Sequence, residues 1–490
     1  MASPHGSGMS HDTTASGTSH MAMVSTSAEV LPPMTIPLWH STTTGSLLSC
    51  PQVKSLLGDY PSDVFLRIEE RRAPLTSQGL VGNPTDLSAI QPLDRSCTDD
   101  LMELYFQTVN IQHPILDRDE CIALYHSTVS RPLQPSLESA LLLVVLALAE
   151  CAKTQPPERL SADWAPGSTY FLPGLSISLE AYLNTTVPSS TLPQCLYLMA
   201  LYYNYIVRPL DAWKLVHMAS TCFQRLWISD LIAEHHLPRS GIENLVDRLQ
   251  LPLCGDPPNP SLLAWLAELS ARRLLNRVHH AMYENDQEHL LQADHVTSNC
   301  ASGREEEVII RLMSSRLNVS MELDTQLNHW YDLIPQIIKP DLTQIPISVG
   351  DAVIVLRHHS AKDIIFRPFL LFACSLPSTV RPPESLIEIC QTTIYSCRQY
   401  VRAAAMRLAE PSASTEIVVH SVFASTIIIT ISALNPWLTE YAPDIDDLQG
   451  IAISTMQRWA LPGSCIEAMT LMLGAIRNKT KMLKANSELI

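Results

Sequence analysis

The chain has 490 residues, of which 46% are apolar and 17% charged, with 16 Gly, 35 Pro and a formal charge of −16. That composition excludes a disordered tail protein and a collagen-like or disulfide-scaffold chain. An acidic chain with no run of five Lys or Arg is poorly suited to hold nucleic acid by phosphate neutralisation, so no tight direct nucleic-acid binding is expected.

Taken in chain order, residues 1–30 are Ser, Thr, Gly and His rich and are expected to be disordered. Residues 31–95 read as an extended arm, with short helices over 45–74 and a loop over 76–95. From residue 96 to 490 the pattern is helical, which predicts an all-α fold: a large array of packed antiparallel helices. Cys97–Ile111 is the first of these, with Thr98 as its N-cap and Asp99 and Asp100 in its first turn. Leu137–Ala152 follows, then a loop over Pro156–Pro173 and a short helix over Leu175–Asn184.

The stretch Leu192–Trp227 organises the chain as two helices joined by a tight turn. Leu192, Leu196, Met199, Tyr203 and Ile206 repeat at helical spacing, and Leu198, Leu201, Tyr202 and Tyr205 fill the other side, so this helix belongs inside a large protein. Pro209 ends it and opens the second helix, whose stripe runs through Trp213, Val216, Ser220, Phe223 and Trp227. Residues 230–258 form a surface excursion. Helices are then predicted over Leu262–Glu284, Glu305–Leu333, Val349–Phe366 (broken by Pro368), Pro383–Ala409, Ser414–Leu434, Asp444–Trp459 and Gly463–Ala485. Ile417–Leu434 contains His420, three Ser and two Thr, so it reads as a buried core helix and no membrane partner is expected.

Twelve cysteines are scattered without a C-x-x-C, and Cys390 and Cys397 read as buried reduced thiols. His279, His280 and Glu284 offer a pair one turn apart, and His358 and His359 are adjacent; both read as a solvated polar face, and no metal site, cofactor or catalytic residue is assigned. Asp99, Asp100 and Glu103 spell DDxxE, the pattern of a magnesium-binding helix in class I terpene synthases. The required second motif at Asn285-Asp286 has His289 and Ala293 where Ser and Glu are needed, so an all-α enzyme of that kind is kept as the alternative. Arg208 and Arg367 each precede a proline at a helix break, where Arg can donate to the orphan carbonyls ending the previous helix. The other use for Arg208 is to line an effector pocket with Tyr202, Tyr205 and Trp213. Tyr441–Leu448 reads as an acidic loop with an N-cap.

Several strings resemble the regulatory domain of fungal zinc-cluster transcription factors. LYYNYIVRPLDAW is similar to its "LYY…RP..AW" hairpin, with Arg208, Pro209 and Trp213 in place, and IIFRPFL, carrying Arg367 and Pro368, to its "RPFL" segment. LMELYFQTVNIQHPILDRDE and LNHWYDLIPQ match further stretches in the same order, whereas the tryptophans usual near Arg272-Arg273 are replaced by Leu and Asn. The resemblance spans roughly residues 45–375 and implies a nuclear, non-enzymatic regulator of a metabolic or secondary-metabolite gene set. The family's six-cysteine DNA-binding module is expected to be missing from this sequence, since Cys50 and Cys97 are the sole cysteines before residue 121; either the regulator retains the regulatory domain alone or the sequence is a shortened product of a parent that began upstream. The implied partner is therefore a DNA-binding transcription factor or a second copy of the chain; a non-catalytic scaffold is the third reading.

Overall fold

The computed structural model describes residues 42–75, 95–129, 133–158, 160–184, 190–223, 259–283 and 305–487. Every regular element among the described residues is helical, so the protein is all-α. The expected disorder of residues 1–30, the loop after residue 75, Trp227, the 230–258 excursion and the Asn285-Asp286 motif lie outside the described residues.

The arm carries three short helices, α1 (Thr44–Leu48), α2 (Pro51–Leu57) and α3 (Val64–Glu70). Gly45 lets α1 approach the turn before α3, because a Cβ there would stand 1.9 Å from Ser62 O. A first group of helices follows: α4 (Arg95–Gln112), α5 (Arg118–Val129), α6 (Leu137–Lys153), α7 (Ser168–Asn184), α8 (Thr191–Tyr205) and α9 (Pro209–Phe223). Their apolar faces close on one core, in which α6 is buried from Ser139 to Ala149. The second group is α10 (Pro260–Tyr283), α11 (Glu305–Asp332), α12 (Val349–Ser375), α13 (Glu384–Arg407), α14 (Thr415–Ala433), α15 (Ile445–Gln457) and α16 (Cys465–Ser487). They share a second core with Leu47, Leu48, Val53, Leu56 and Phe65 of the arm. The arm is thus built into the second core and is not a tether.

At the centre of this second core runs α14, long and apolar enough to cross a membrane but with most of its length buried inside the protein. Its hydroxyls are accommodated by bonding back one turn: Thr426 to Val422 O (2.7 Å), Thr430 to Thr426 O (2.7 Å) and Ser432 to Ile428 O (2.8 Å). Ser136 and Ser348 cap α6 and α12 by accepting from Ser139 N and Asp351 N.

Several local expectations are corrected. Helix α4 starts at Arg95, so Thr98 lies inside it and bonds the Tyr125 hydroxyl at 2.6 Å instead of capping. The Pro156–Pro173 loop ends early, because α7 starts at Ser168 and runs through Pro173. Its start is set by Gly167 at φ +72°, whose carbonyl accepts from Tyr170 N and Phe171 N at 3.0 Å. Helix α12 also continues through its proline, Pro368, to Ser375. Proline's ring removes the hydrogen bond that residue 368 would give to Ile364 O. That carbonyl is instead served by the Tyr283 hydroxyl of α10, which donates to it at 2.6 Å. Asp444 makes no side-chain cap to α15; its carboxylate accepts from Arg398 (2.9 Å) and Arg402 (2.9 Å).

Candidate functional site

The two Arg-Pro pairs behave differently from the sequence reading. Helix α8 ends with Arg208 N donating to Tyr203 O (2.8 Å) and Val207 N to Asn204 O (3.1 Å), with Val207 at φ 55°. That is the Schellman ending, with valine at the left-handed position where glycine is usual. Pro209 then opens α9, as expected. The Arg208 side chain does not serve the carbonyls ending α8: its Nη1 donates to Ala73 O of the arm at 2.8 Å and lies 3.6 Å from Asp211. In return, Arg72 of the arm donates to Val207 O at 2.6 Å and pairs with Glu69 at 2.7 Å. Arg367 likewise donates to an arm carbonyl, Thr42 O at 3.0 Å, and pairs with Asp363 one turn earlier at 2.5 Å. Burial alone would lower its pKa, but the charge and hydrogen bond of Asp363 raise it.

Tyr202 and Tyr205 are in the first core, where the Tyr202 ring stacks on Phe171 at 3.8 Å and its hydroxyl donates to Pro166 O at 2.9 Å. Trp213 is half-buried, with its ring 5.8 Å from that of His217. The DDxxE carboxylates are engaged within the protein: Asp99 accepts from the Tyr125 hydroxyl (2.6 Å) and Glu103 from Arg118 (2.6 Å), while Asp100 is exposed. Three of the four histidines are not on a solvated face; His280 is half-buried, and Glu284 lies outside the described residues. His279, His358 and His359 are buried, and the last two hold their rings 5.1 Å apart beside an outer hollow lined by Tyr331, Lys362 and Tyr395. Cys390 and Cys397 are buried free thiols on α13.

What the structure brings together is a cavity of about 100 Å³ between the arm and the second group of helices. Thr42 and Thr44 come from the arm; Glu268, Arg272 and His279 from α10; Arg357, Asp363 and Arg367 from α12; Tyr400 and Arg407 from α13; and Ser414 and His420 stand at and on α14. Among the described residues four arginines and two carboxylates line it. Arg357 takes Glu268 at 2.7 Å and Arg367 takes Asp363. Arg407 is 3% exposed and gives Nη2 to Gln112 at 3.0 Å, while its Nε and Nη1 are buried with no hydrogen-bond partner among the described residues. Burial, then the charge of Arg357, pulls Arg272 well below the usual guanidinium range, and burial lowers Arg407 as well. A guanidinium stays protonated in proteins, so this downward pull expresses a demand for negative charge. The arrangement can hold a small anion by charge-assisted hydrogen bonds.

Sequence reasoning missed this site, although a signal existed. Tyr400, Ala404 and Arg407 follow one another at helical spacing, so a charge stands in phase with an apolar stripe. Glu268, Arg272, Leu275 and His279 do the same on α10. One set of side chains among the described residues could hold a metal ion, Glu416, His420 and Cys465, and none of the three was singled out for that role from sequence.

The chain is similar to the protein described as "Putative transcription factor ecdB" of Aspergillus rugulosus, with 25% identity over 334 residues, covering 60% of this chain and 53% of that protein. It therefore spans about half the length of the curated relative it matches. No protein-family model matches the chain, and no solved structure matches it.

Proposed function

We propose that this chain is a transcription regulator of fungal type, acting in the nucleus through its helical domain, whose output is set by a small organic anion in the arginine-lined cavity. The observation that carries the reading is Arg407, whose buried Nε and Nη1 have no hydrogen-bond partner among the described residues, in a cavity lined from both the arm and the helices. Similarity to the fungal protein supplies the cellular context. With a formal charge of −16, the chain reaches promoters through a DNA-binding partner or as a homodimer with such a partner, and its genes serve metabolism or secondary metabolism. No step of chemistry is required of it.

Two measurements test this. The chain is fused to a foreign DNA-binding module and reporter output is compared between wild type and Arg407→Gln, while the unfused chain is run in a gel shift at physiological salt. We expect reporter activity that the substitution alters and no shifted duplex. In parallel, thermal unfolding is followed with a panel of small di- and tricarboxylates and inorganic phosphate. A ligand present at a hundredfold its Kd adds about 2.7 kcal/mol to stability. Stabilisation by an anion that is absent in Arg407→Gln supports the reading. A silent fusion, together with no anion that stabilises the wild type, removes it.

A further inference from the structure

We propose that Glu416, His420 and Cys465 form a buried zinc site that fastens the arm to the C-terminal helices. Glu416 and His420 stand one turn apart on α14, so their side chains leave the same face, and Cys465 is the first residue of α16. Their exposures are 4%, 1% and 0%. Cys465 Sγ lies 3.7 Å from Glu416 Oε1 and 3.8 Å from His420 Nε2, and His420 Nε2 lies 3.7 Å from Glu416 Oε1.

These three donors stand at the corners of a nearly equilateral triangle. The centre of such a triangle is about 2.2 Å from each corner, and Zn–N and Zn–O bonds run ~2.0–2.2 Å with Zn–S at ~2.3 Å. A cation slightly out of the plane would reach all three and keep a fourth position for water. The two edges at sulfur are of thiol hydrogen-bond length, whereas 3.7 Å between the imidazole nitrogen and the carboxylate oxygen is too long for a hydrogen bond. A carboxylate, an imidazole and a thiol also form a mixed donor set that suits zinc and not the hard cations magnesium or calcium.

The surroundings complete the case. Thr44 Oγ1 lies 2.8 Å from His420 Nδ1; with Nδ1–H donated to it, the Nε2 lone pair faces the triangle. Cys465 N–H donates to Glu69 Oε1 at 2.8 Å, and Phe65 sets its ring edge-on to His420 at 5.5 Å. Thr44, Phe65 and Glu69 all belong to the arm, so the arm supplies the outer contacts and α14 and α16 supply the ligands. Burial, then the carboxylates of Glu69 and Glu416, push the Cys465 thiol well up, so the metal itself has to displace the proton. Binding breaks the S–H bond, forms Zn–S and releases one proton to solvent.

The test uses the full chain and reads metal, so it is independent of any transcriptional role. Protein purified from zinc-supplemented medium is dialysed and its metal measured by mass spectrometry. It is then loaded with Co²⁺ for an absorption spectrum, beside Cys465→Ser and Thr44→Val. We expect about one zinc per wild-type chain, a cobalt spectrum with the charge-transfer intensity of a single thiolate, and loss of both in Cys465→Ser. Thr44→Val should keep the fold and bind zinc about 10–100-fold more weakly, as losing an outer hydrogen-bond partner does elsewhere. Wild-type protein without stoichiometric zinc, a cobalt spectrum lacking a thiolate band, or a folded Cys465→Ser that keeps its zinc overturns the proposal. Should Cys465→Ser not fold, the wild-type cobalt spectrum and the Thr44→Val affinity decide it.

Discussion

The same dipeptide does opposite things at two places in this protein. At Arg208-Pro209 the chain stops one helix and starts another; at Arg367-Pro368 it runs on through a single helix to Ser375. The difference is not in the dipeptide but in what is offered to the backbone groups around it. Before Pro209, Val207 takes a left-handed conformation and the Schellman bonds close α8, with Arg72 holding the Val207 carbonyl. At Pro368 the carbonyl left without a donor, Ile364 O, is met by Tyr283 from another helix, and the Arg367–Asp363 pair bridges the same turn. A proline ends a helix when its orphan carbonyl has nowhere better to go, and tertiary structure can supply that place.

Four experiments would break or sharpen this contrast. The largest effect is expected from Arg367→Ala, which leaves the buried Asp363 carboxylate unpaired; chemical denaturation should show a loss of about 3–5 kcal/mol. A loss below 1 kcal/mol would mean that the pair does not sustain the continuous helix. Acid comes next. Burial, then His359 and Lys362, pulls His358 down to about 3, and burial with Lys362 pulls His359 down to about 4 despite the Leu342 carbonyl. Both rings are on α12 and have lower pKa values folded than the ordinary 6.5, so the unfolded chain takes up more protons. Stability is therefore full above pH 6.5 and is lost as pH falls below it, by about 2 kcal/mol per ring at pH 5. Replacing both with Gln should remove their share of that slope, leaving the share of His113, which burial lowers to about 4, and amide exchange at pH 5 should open α12 before the α8–α9 hairpin.

Arg208→Ala should cost less than its counterpart, about 1–3 kcal/mol, because it frees a backbone carbonyl and not a buried carboxylate. If it equals Arg367→Ala in a side-by-side melt, the two sites are not energetically distinct. The smallest change is Tyr283→Phe, about 1 kcal/mol, from the unmade bond to Ile364 O. Pro368→Ala gives that carbonyl a backbone donor, so the Tyr283→Phe cost should shrink in that background. An unchanged cost would separate Tyr283 from the proline.

The contrast also shows which parts of the molecule were open to reading from sequence. The α8–α9 hairpin was, because an apolar stripe, a proline and an acidic first turn all lie within one short stretch. So were the bounds of α10, α11 and α13 to α16 within a few residues, and the burial of α14, whose hydroxyls bond locally. The passage of α12 through Pro368 was not, since it depends on a hydroxyl from Tyr283, far away in the chain. The cavity was hidden for the same reason: Arg272, Arg357 and Arg407 come from three helices and meet only when those helices pack. Glu416 and His420 have a suggestive spacing, but their companion Cys465 is on another helix.

The two Arg-Pro arginines have one more thing in common. Arg367 holds the carbonyl of Thr42 and Arg208 that of Ala73, so the arm is pinned at its first and last described turns, like a splint tied at both ends. A recombinant fragment begun at residue 95, where the long helices start, would strip both guanidinium groups of these backbone acceptors and uncover the side of the second core that Leu47, Leu48, Val53 and Phe65 cover. Workers cutting this gene for expression should place the upstream cut before Thr42.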